Sequence, residues 1–395
     1  MILIPEGAGN CDSAVCDCVW GTRESMGLDI KIGVGFLNLV MVFDDQINLE
    51  NDIQSAAFFN EGEVVILTNK GEVLLYNFHT KEHKDLFETN PGKGLQYSDG
   101  GFDPSADSSI YTLDNIIVVV NNYKRHGFVL NRKEHSLINL WREEYHADIS
   151  RYPIALFKNE KDEPHLIFGV DWNQIQIANL TTRQVLTADK SLIEEDAEKK
   201  HIDFYKNYEE ANKLFWPNEY DYFYGKLMMS PDKTKLLSAG WVWGSADCLN
   251  LYDVEDFISN HRIKDVTIGV WEHNNRAACF VDNETIAVLC NPCRDDEEDA
   301  VKDAPDDIRL FHADGQGEKC KIALQIPLDL SRAELFYHQM TQCFYTFSKE
   351  AGVAVISLNG EIVFHEPSFI PQQYDLCHNR FIRYDKKRLS IFKIE

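Results

Sequence analysis

Short apolar runs, cut by Gly, Asn, Asp and Lys, fill most of the chain beyond residue 36. Some alternate apolar with polar residues and others are apolar throughout, the patterns of strands buried on one face or on both. The clearest stretch runs from Ser55 to Phe87. Ala56 to Phe59 predicts a strand, and Asn60-Glu61-Gly62-Glu63 turns the chain. Val64 to Thr68 follows, then the turn Asn69-Lys70-Gly71, then Val73 to Phe78, and a more polar fourth strand ends in Leu86-Phe87.

The same four-strand order recurs. A second unit reads Ile110–Leu113, Ile116–Val120, Gly127–Leu130 and Ser136–Trp141. A third reads Pro153–Phe157, His165–Val170, Gln174–Ala178 and Gln184–Thr187. The fourth has Lys226–Ser230, Leu236–Gly240, Cys248–Val254 and Ile263–Ile268. The fifth has Ala277–Val281, Thr285–Cys290, Asp307–His312 and Lys319–Ile326. The sixth has Leu335–Met340, Cys343–Phe347, Val353–Leu358 and Glu361–His365. Three strands remain at the C-terminus, Tyr374–Cys377, Arg380–Tyr384 and Leu389–Ile394, and one near the N-terminus, Leu37–Phe43. Three plus one make a seventh unit, which removes the open edge a ring of sheets would otherwise keep. The expectation is an all-β fold: a seven-bladed β-propeller of four-stranded antiparallel blades, one domain over 1–395. Residues 36–47 hold the closing strand, and 1–35 fit no blade.

One segment breaks the pattern. Residues 191–224 carry an approximately helical stripe of Ile193, Ala197, Ile202, Tyr205 and Tyr208, so one helical insertion is predicted between blades three and four. Ser191, with Glu194 three residues on, has the form of a capping box.

Ser230-Pro231-Asp232-Lys233-Thr234-Lys235-Leu236-Leu237-Ser238-Ala239-Gly240 resembles the first hairpin of a WD-repeat blade. Leu251-Tyr252-Asp253 is similar to the family's aromatic–Asp ending of the third strand, and Tyr76-Asn77 is a weaker echo. No Gly-His pair opens a blade and no Trp-Asp dipeptide occurs, so the chain looks like a divergent WD-like propeller. The resemblance implies that outer-to-inner connections and second-to-third-strand connections share one face. Long segments fall in those two types: Glu88–Ala106, Ser191–Tyr224, Gly240–Asp247 and Asn291–Pro305. Opposite connections are short, such as Asp282-Asn283-Glu284 and Asn359-Gly360. One decorated face and one trimmed face are expected, and loops on a rigid scaffold commonly carry binding.

Aromatic residues crowd the decorated connections. The insertion ends in Phe215, Trp216, Tyr220, Tyr222, Phe223 and Tyr224; Trp241-Val242-Trp243 follows, and Trp172 and Tyr123 occupy equivalent loops of blades three and two. Tyr123, Trp172, Trp216, Tyr220, Tyr222, Trp241 and Trp243 are therefore candidate binding residues, since Trp and Tyr are frequent interface anchors. They would equally serve to pack the insertion down. The acidic run Asp295-Asp296-Glu297-Glu298 adds a candidate surface for a basic peptide, and it lacks the ligand order of a calcium-binding hand.

Composition narrows the function. A net charge of −25 over 395 residues argues against nucleic-acid phosphates as partners and suits a basic protein or peptide. Ten cysteines would permit a disulfide framework, but several lie in apolar runs, as in Ala278-Cys279-Phe280 and Gln342-Cys343-Phe344. Cys290-Asn291-Pro292-Cys293 is half a zinc site with no complementary pair nearby, and Cys11, Cys16 and Cys18 do not supply one; no metal and no cofactor are expected. The start, Met-Ile-Leu-Ile-Pro-Glu, lacks the basic flank of a secretory signal, and no apolar run is long enough to span a bilayer. A cytoplasmic protein with no membrane association is expected. No triad or nucleophile elbow occurs, leaving Asp171, Asp247, His126 and Arg125 as residues to test near the central opening. The leading reading is a non-catalytic platform for a protein or peptide. An enzyme at the channel mouth and an acidic inhibitor of a basic toxin or nuclease are the alternatives.

Overall fold

The computed structural model describes residues 37–89, 100–206, 219–272, 276–290, 307–326, 328–330 and 332–395. Strand β1 (Leu39–Gln46) comes first and belongs to the last blade. Blade one is β2 (Ile53–Phe58), β3 (Glu63–Thr68), β4 (Glu72–Asn77) and β5 (Glu82–Glu88). Blade two is β6 (Ser108–Leu113), β7 (Ile116–Asn121), β8 (His126–Asn131) and β9 (Ser136–Trp141). Blade three is β10 (Ile154–Lys158), β11 (Pro164–Asp171), β12 (Gln174–Asn179) and β13 (Gln184–Val185). Helix α1 (Ala197–Tyr205) precedes blade four, which is β14 (Phe223–Met229), β15 (Lys235–Val242), β16 (Ala246–Asp253) and β17 (Val266–Glu272), with α2 (Val254–Ser259) between its last two strands. Blade five is β18 (Ala278–Asp282), β19 (Thr285–Cys290), β20 (Asp307–His312) and β21 (Glu318–Ala323). Blade six is β22 (Glu334–His338), β23 (Cys343–Ser348), β24 (Gly352–Ser357) and β25 (Ile362–Glu366). Blade seven is β26 (Gln373–Asp375), β27 (Arg380–Asp385), β28 (Arg388–Ile394) and β1.

The seven sheets are each antiparallel and four-stranded, in the order the sequence pattern predicts. The closing pair runs from Leu39 opposite Ile394 to Gln46 opposite Arg388, with a bulge between Met41 and Phe43. Arg388 Nε and Ser390 Oγ both donate to Asp44 Oδ1, at 2.8 and 2.7 Å. These bonds, strongest from Arg388, hold the Asp44 carboxyl down at about 2.

Each blade buries both faces, which explains the unbroken apolar runs. In β3, Val64 and Ile66 pack towards blade seven with Ile382, Leu389 and Ile391, while Val65 and Leu67 pack towards blade two with Ile117 and Val119. Successive residues of a strand point to opposite faces, so one run serves two interfaces. Seven such apolar layers, one between each pair of neighbouring blades, close the ring.

Five local expectations are corrected. Ser191 does not cap a helix: its Oγ accepts from Ile193 N, and Ile193-Glu194-Glu195 instead pairs with Ile263 at the outer edge of blade four. Tertiary pairing has taken the backbone groups that a capping box would satisfy. Ile202 of α1 is 57% exposed rather than packed down. Strand β13 stops at Val185 because the Thr187 hydroxyl, not a ladder carbonyl, accepts from Ile177 N at 2.9 Å. The face expected to be trimmed carries α2, whose N-cap Asp253 accepts from Asp256 N. On the decorated face the expected long connection Gly240–Asp247 shrinks to residues 243–245, because β15 and β16 run further than the apolar pattern suggested.

Candidate aromatic site on the loop face

Strand β14 enters blade four from the loop face, and its first residue is Phe223. Phe223 pairs directly with Trp241 on β15, and a bulge follows before Lys226 pairs with Ala239. Two glycines let the strands close there: a Cβ on Gly240 would stand 2.1 Å from the Phe223 carbonyl oxygen, and one on Gly225 would stand 2.1 Å from that of Ala239. The pairing stacks the Phe223 and Trp241 rings at 3.6 Å, nearly parallel. Trp241 Nε1 donates to Ser150 Oγ at 3.0 Å, tying blade four to the connection between blades two and three.

Around this stack stand rings from three connections. Trp172, in the turn between β11 and β12, lies 4.4 Å from Phe223, and Trp243, in the turn between β15 and β16, lies 5.3 Å from it. Tyr145 and His146, between β9 and β10, lie 6.2 and 5.4 Å from Phe223. Phe223 is fully buried and forms the floor. Trp243 and Tyr145 form the rim, 52% and 49% exposed, and Trp172 and Trp241 are half-buried. Asp221 Oδ1 accepts from Trp243 N at 3.4 Å, and Asp171 Oδ1 from Trp172 N at 2.7 Å, so both carboxylates brace the turns that hold the rings. Burial raises the Asp221 carboxyl above its ordinary value.

Of the residues selected from the sequence, Trp172, Trp241 and Trp243 meet in this cluster. Tyr123 lies on the same face, 47% exposed, in the turn between β7 and β8. Tyr220 and Tyr222 sit elsewhere: both are buried between blades three and four. The Tyr222 hydroxyl lies 2.8 Å from the Ser238 carbonyl and 3.0 Å from that of Cys248, and the Tyr220 hydroxyl meets Tyr252 Oη and Asp265 Oδ2. They are packing residues here because the chain re-enters the core at Tyr220, three residues before β14 begins. Trp216 and the run Asp295, Asp296, Glu297 and Glu298 lie outside the described residues, as do Cys11, Cys16, Cys18 and Cys293. Cys290 is buried in β19. Tyr145, His146 and the floor residue Phe223 were not selected. Tyr145 and His146 lie in an outer-to-inner connection, the type already singled out, but no Trp marks it.

The channel residues also differ from expectation. Asp247 and His126 belong to third strands, two places out from the inner strand of their blades. Asp247 is paired with Arg276 Nε at 2.7 Å, and Arg125 lies over the Trp141 ring at 4.9 Å. Across the channel, Glu334 of blade six takes Arg151 Nη1 at 3.2 Å from the connection between blades two and three, and Lys226 from blade four. Burial works against ionising Glu334, but Lys226 and Arg151 outweigh it and hold the carboxyl at about 2. Arg151 Nη2 also reaches Ser109 Oγ of blade two at 3.3 Å, so three blades and one connection meet in one polar cluster.

Among the described residues no helix is long and apolar enough to cross a membrane. No family model matches the chain, and neither does any curated protein. Among solved structures 1162 chains match, so the architecture is common and does not by itself select an activity. One is the WD40 domain of Pan2 from Neurospora crassa, 10% identical, with a TM-score of 0.51, covering 90% of this chain and 94% of that one. With seven four-stranded blades closed by β1 and that likeness over nearly its whole length, the chain has the fold of a divergent WD40-like β-propeller.

Proposed function

We propose that the chain is a non-catalytic binding platform for a basic protein or peptide, working in the cytoplasm and engaging its partner through the loop face at blades two to four. The observation that carries this reading is the cluster of Tyr145, Trp172 and Trp243 around a buried Phe223, with two of its rings about half exposed on a rigid ring of blades. Large exposed aromatics on a preorganised frame are the side chains that most often dominate protein interfaces, because they bury much area at small entropic cost. The charge of −25 supports a basic partner and disfavours nucleic acid. WD40-like propellers generally serve as interaction platforms, which agrees with this reading without choosing the partner.

The test is comparative affinity capture from native lysate with the intact chain, Trp243→Ala and Tyr145→Ala as baits. A partner held by the intact chain and lost, in equal salt, from both folded variants is the expected result. Retention of every captured protein by both variants would overturn the assignment of this face.

A further inference from the structure

The rim rings are arranged for more than general apolar contact. Tyr145, Trp172 and Trp243 have centroids 6.0, 6.1 and 6.5 Å apart, with planes inclined at 55 to 65° to one another. A cation about 4.5 Å from three mutually perpendicular ring faces leaves their centroids about 6.4 Å apart, within reach of cation–π attraction. Edge-to-face packing produces similar spacings. Rings satisfied wholly by one another would not leave Tyr145 and Trp243 about half exposed over a buried floor.

The polar groups nearby say which cation fits. The carboxylates of Asp171 and Asp221 accept from the backbone N–H groups of Trp172 and Trp243. They add negative charge beside these two residues while being committed to the loops. A primary ammonium entering the rings would lose water from three N–H donors. A quaternary ammonium has no donors to satisfy and presents methyl groups to the ring faces. Around the opening, Glu143, Glu144 and Asp148 are exposed and favour a cationic segment.

We propose that Tyr145, Trp172 and Trp243, over Phe223, form a cage for a quaternary ammonium, presented as the trimethylated lysine of a basic peptide. This rests on the platform reading above, and it adds the chemistry of the anchoring group.

The experiment titrates the intact chain at pH 8 with three probes: a short Gly/Lys peptide carrying one central trimethyllysine, the same peptide unmethylated, and tetramethylammonium chloride against equal sodium chloride. Binding is read by tryptophan fluorescence and calorimetry. The trimethylated peptide should bind at least about fivefold more tightly than the unmethylated one, and tetramethylammonium should compete with it. Losing one ring should weaken binding about five- to thirtyfold, the equivalent of about 1–2 kcal/mol, in Trp243→Ala and Tyr145→Ala, while Trp243→Phe retains most of it. Met340→Ala, 80% exposed in the turn between β22 and β23 of blade six, should bind as the intact chain does. Equal affinity for the two peptides, with loss in Trp243→Ala, would overturn the quaternary cage and leave the platform standing. No saturable response to either the trimethylated peptide or tetramethylammonium would also overturn the cage, and lysate capture would then judge the platform separately.

Discussion

Trp241 and Trp243 stand two positions apart, yet they should respond very differently to truncation. Trp241→Ala removes a ring stacked at 3.6 Å on the fully buried Phe223 and breaks the bond from Nε1 to Ser150 Oγ. A fully buried Trp cut to Ala costs about 3–5 kcal/mol. A half-buried ring forfeits roughly half of that, and stranding the buried Ser150 hydroxyl adds about 1 kcal/mol. The expected loss of stability is therefore about 3 kcal/mol. Trp243 is 52% exposed, and its side chain has no such bond, so Trp243→Ala should cost only about 1 kcal/mol of stability. Its effect should appear in binding instead, where removal of a true anchor costs at least about 2 kcal/mol, or roughly thirtyfold. Urea denaturation of both variants, followed by partner capture with the folded protein, separates the two roles. Equal destabilisation by the two substitutions would refute this division and make the pair one packing unit.

Two further outcomes follow from the charged groups. The folded Asp44 carboxyl sits near 2, below its unfolded value of about 3.9, so its bonds to Arg388 and Ser390 add stability above about pH 4 that is lost as pH falls towards 2. Asp44→Asn should flatten the acid dependence of urea midpoints between pH 5 and 2.5, and an unchanged slope would show that β1 closes the ring without this pair. Glu334→Gln should cost about 1–2 kcal/mol by leaving Arg151 and Lys226 facing across the channel, discounted from a fully buried pair because these side chains are about 30% exposed. A second change, Lys226→Met, should return part of that loss in a double-mutant cycle, whereas strict additivity would show that the cross-channel cluster is not energetically coupled.

The blades were legible because their chemistry is local and repeated. Val64-Val65-Ile66-Leu67, mostly β-branched and held between turn residues, reads as a strand buried on both faces, and Asn69-Lys70-Gly71 supplies the turn after it. What escaped was decided by tertiary contacts. Ser191 and Glu194 have the spacing of a helix cap, but Ile263 offers the same backbone a partner. Asp253, read as the end of a WD-like strand, also starts α2 by accepting from Asp256 N. For the site, Trp172, Trp241 and Trp243 could be found as aromatics in the right connection types. Tyr220 and Tyr222 look the same in sequence, and only the path of the chain into β14 separates core from surface. Tyr145 is one tyrosine in a mostly polar connection, and nothing in its neighbours distinguishes it until the rings are seen together.

The pairing of β1 with β28 also sets a timetable for biosynthesis. A ribosome delivers Leu39 long before its partner Ile394, so blade seven cannot be completed while the intervening blades are being made. Through that interval β1 lacks its ladder, and it carries Val40, Met41 and Val42, which remain exposed even in the finished ring. An unpaired apolar edge is a template for joining another chain, and contacts this distant in sequence form late because loop closure opposes them. The nascent chain is therefore vulnerable to mispairing with other chains until β28 has been made, and its yield should depend on chaperone capacity more steeply than its final stability would suggest.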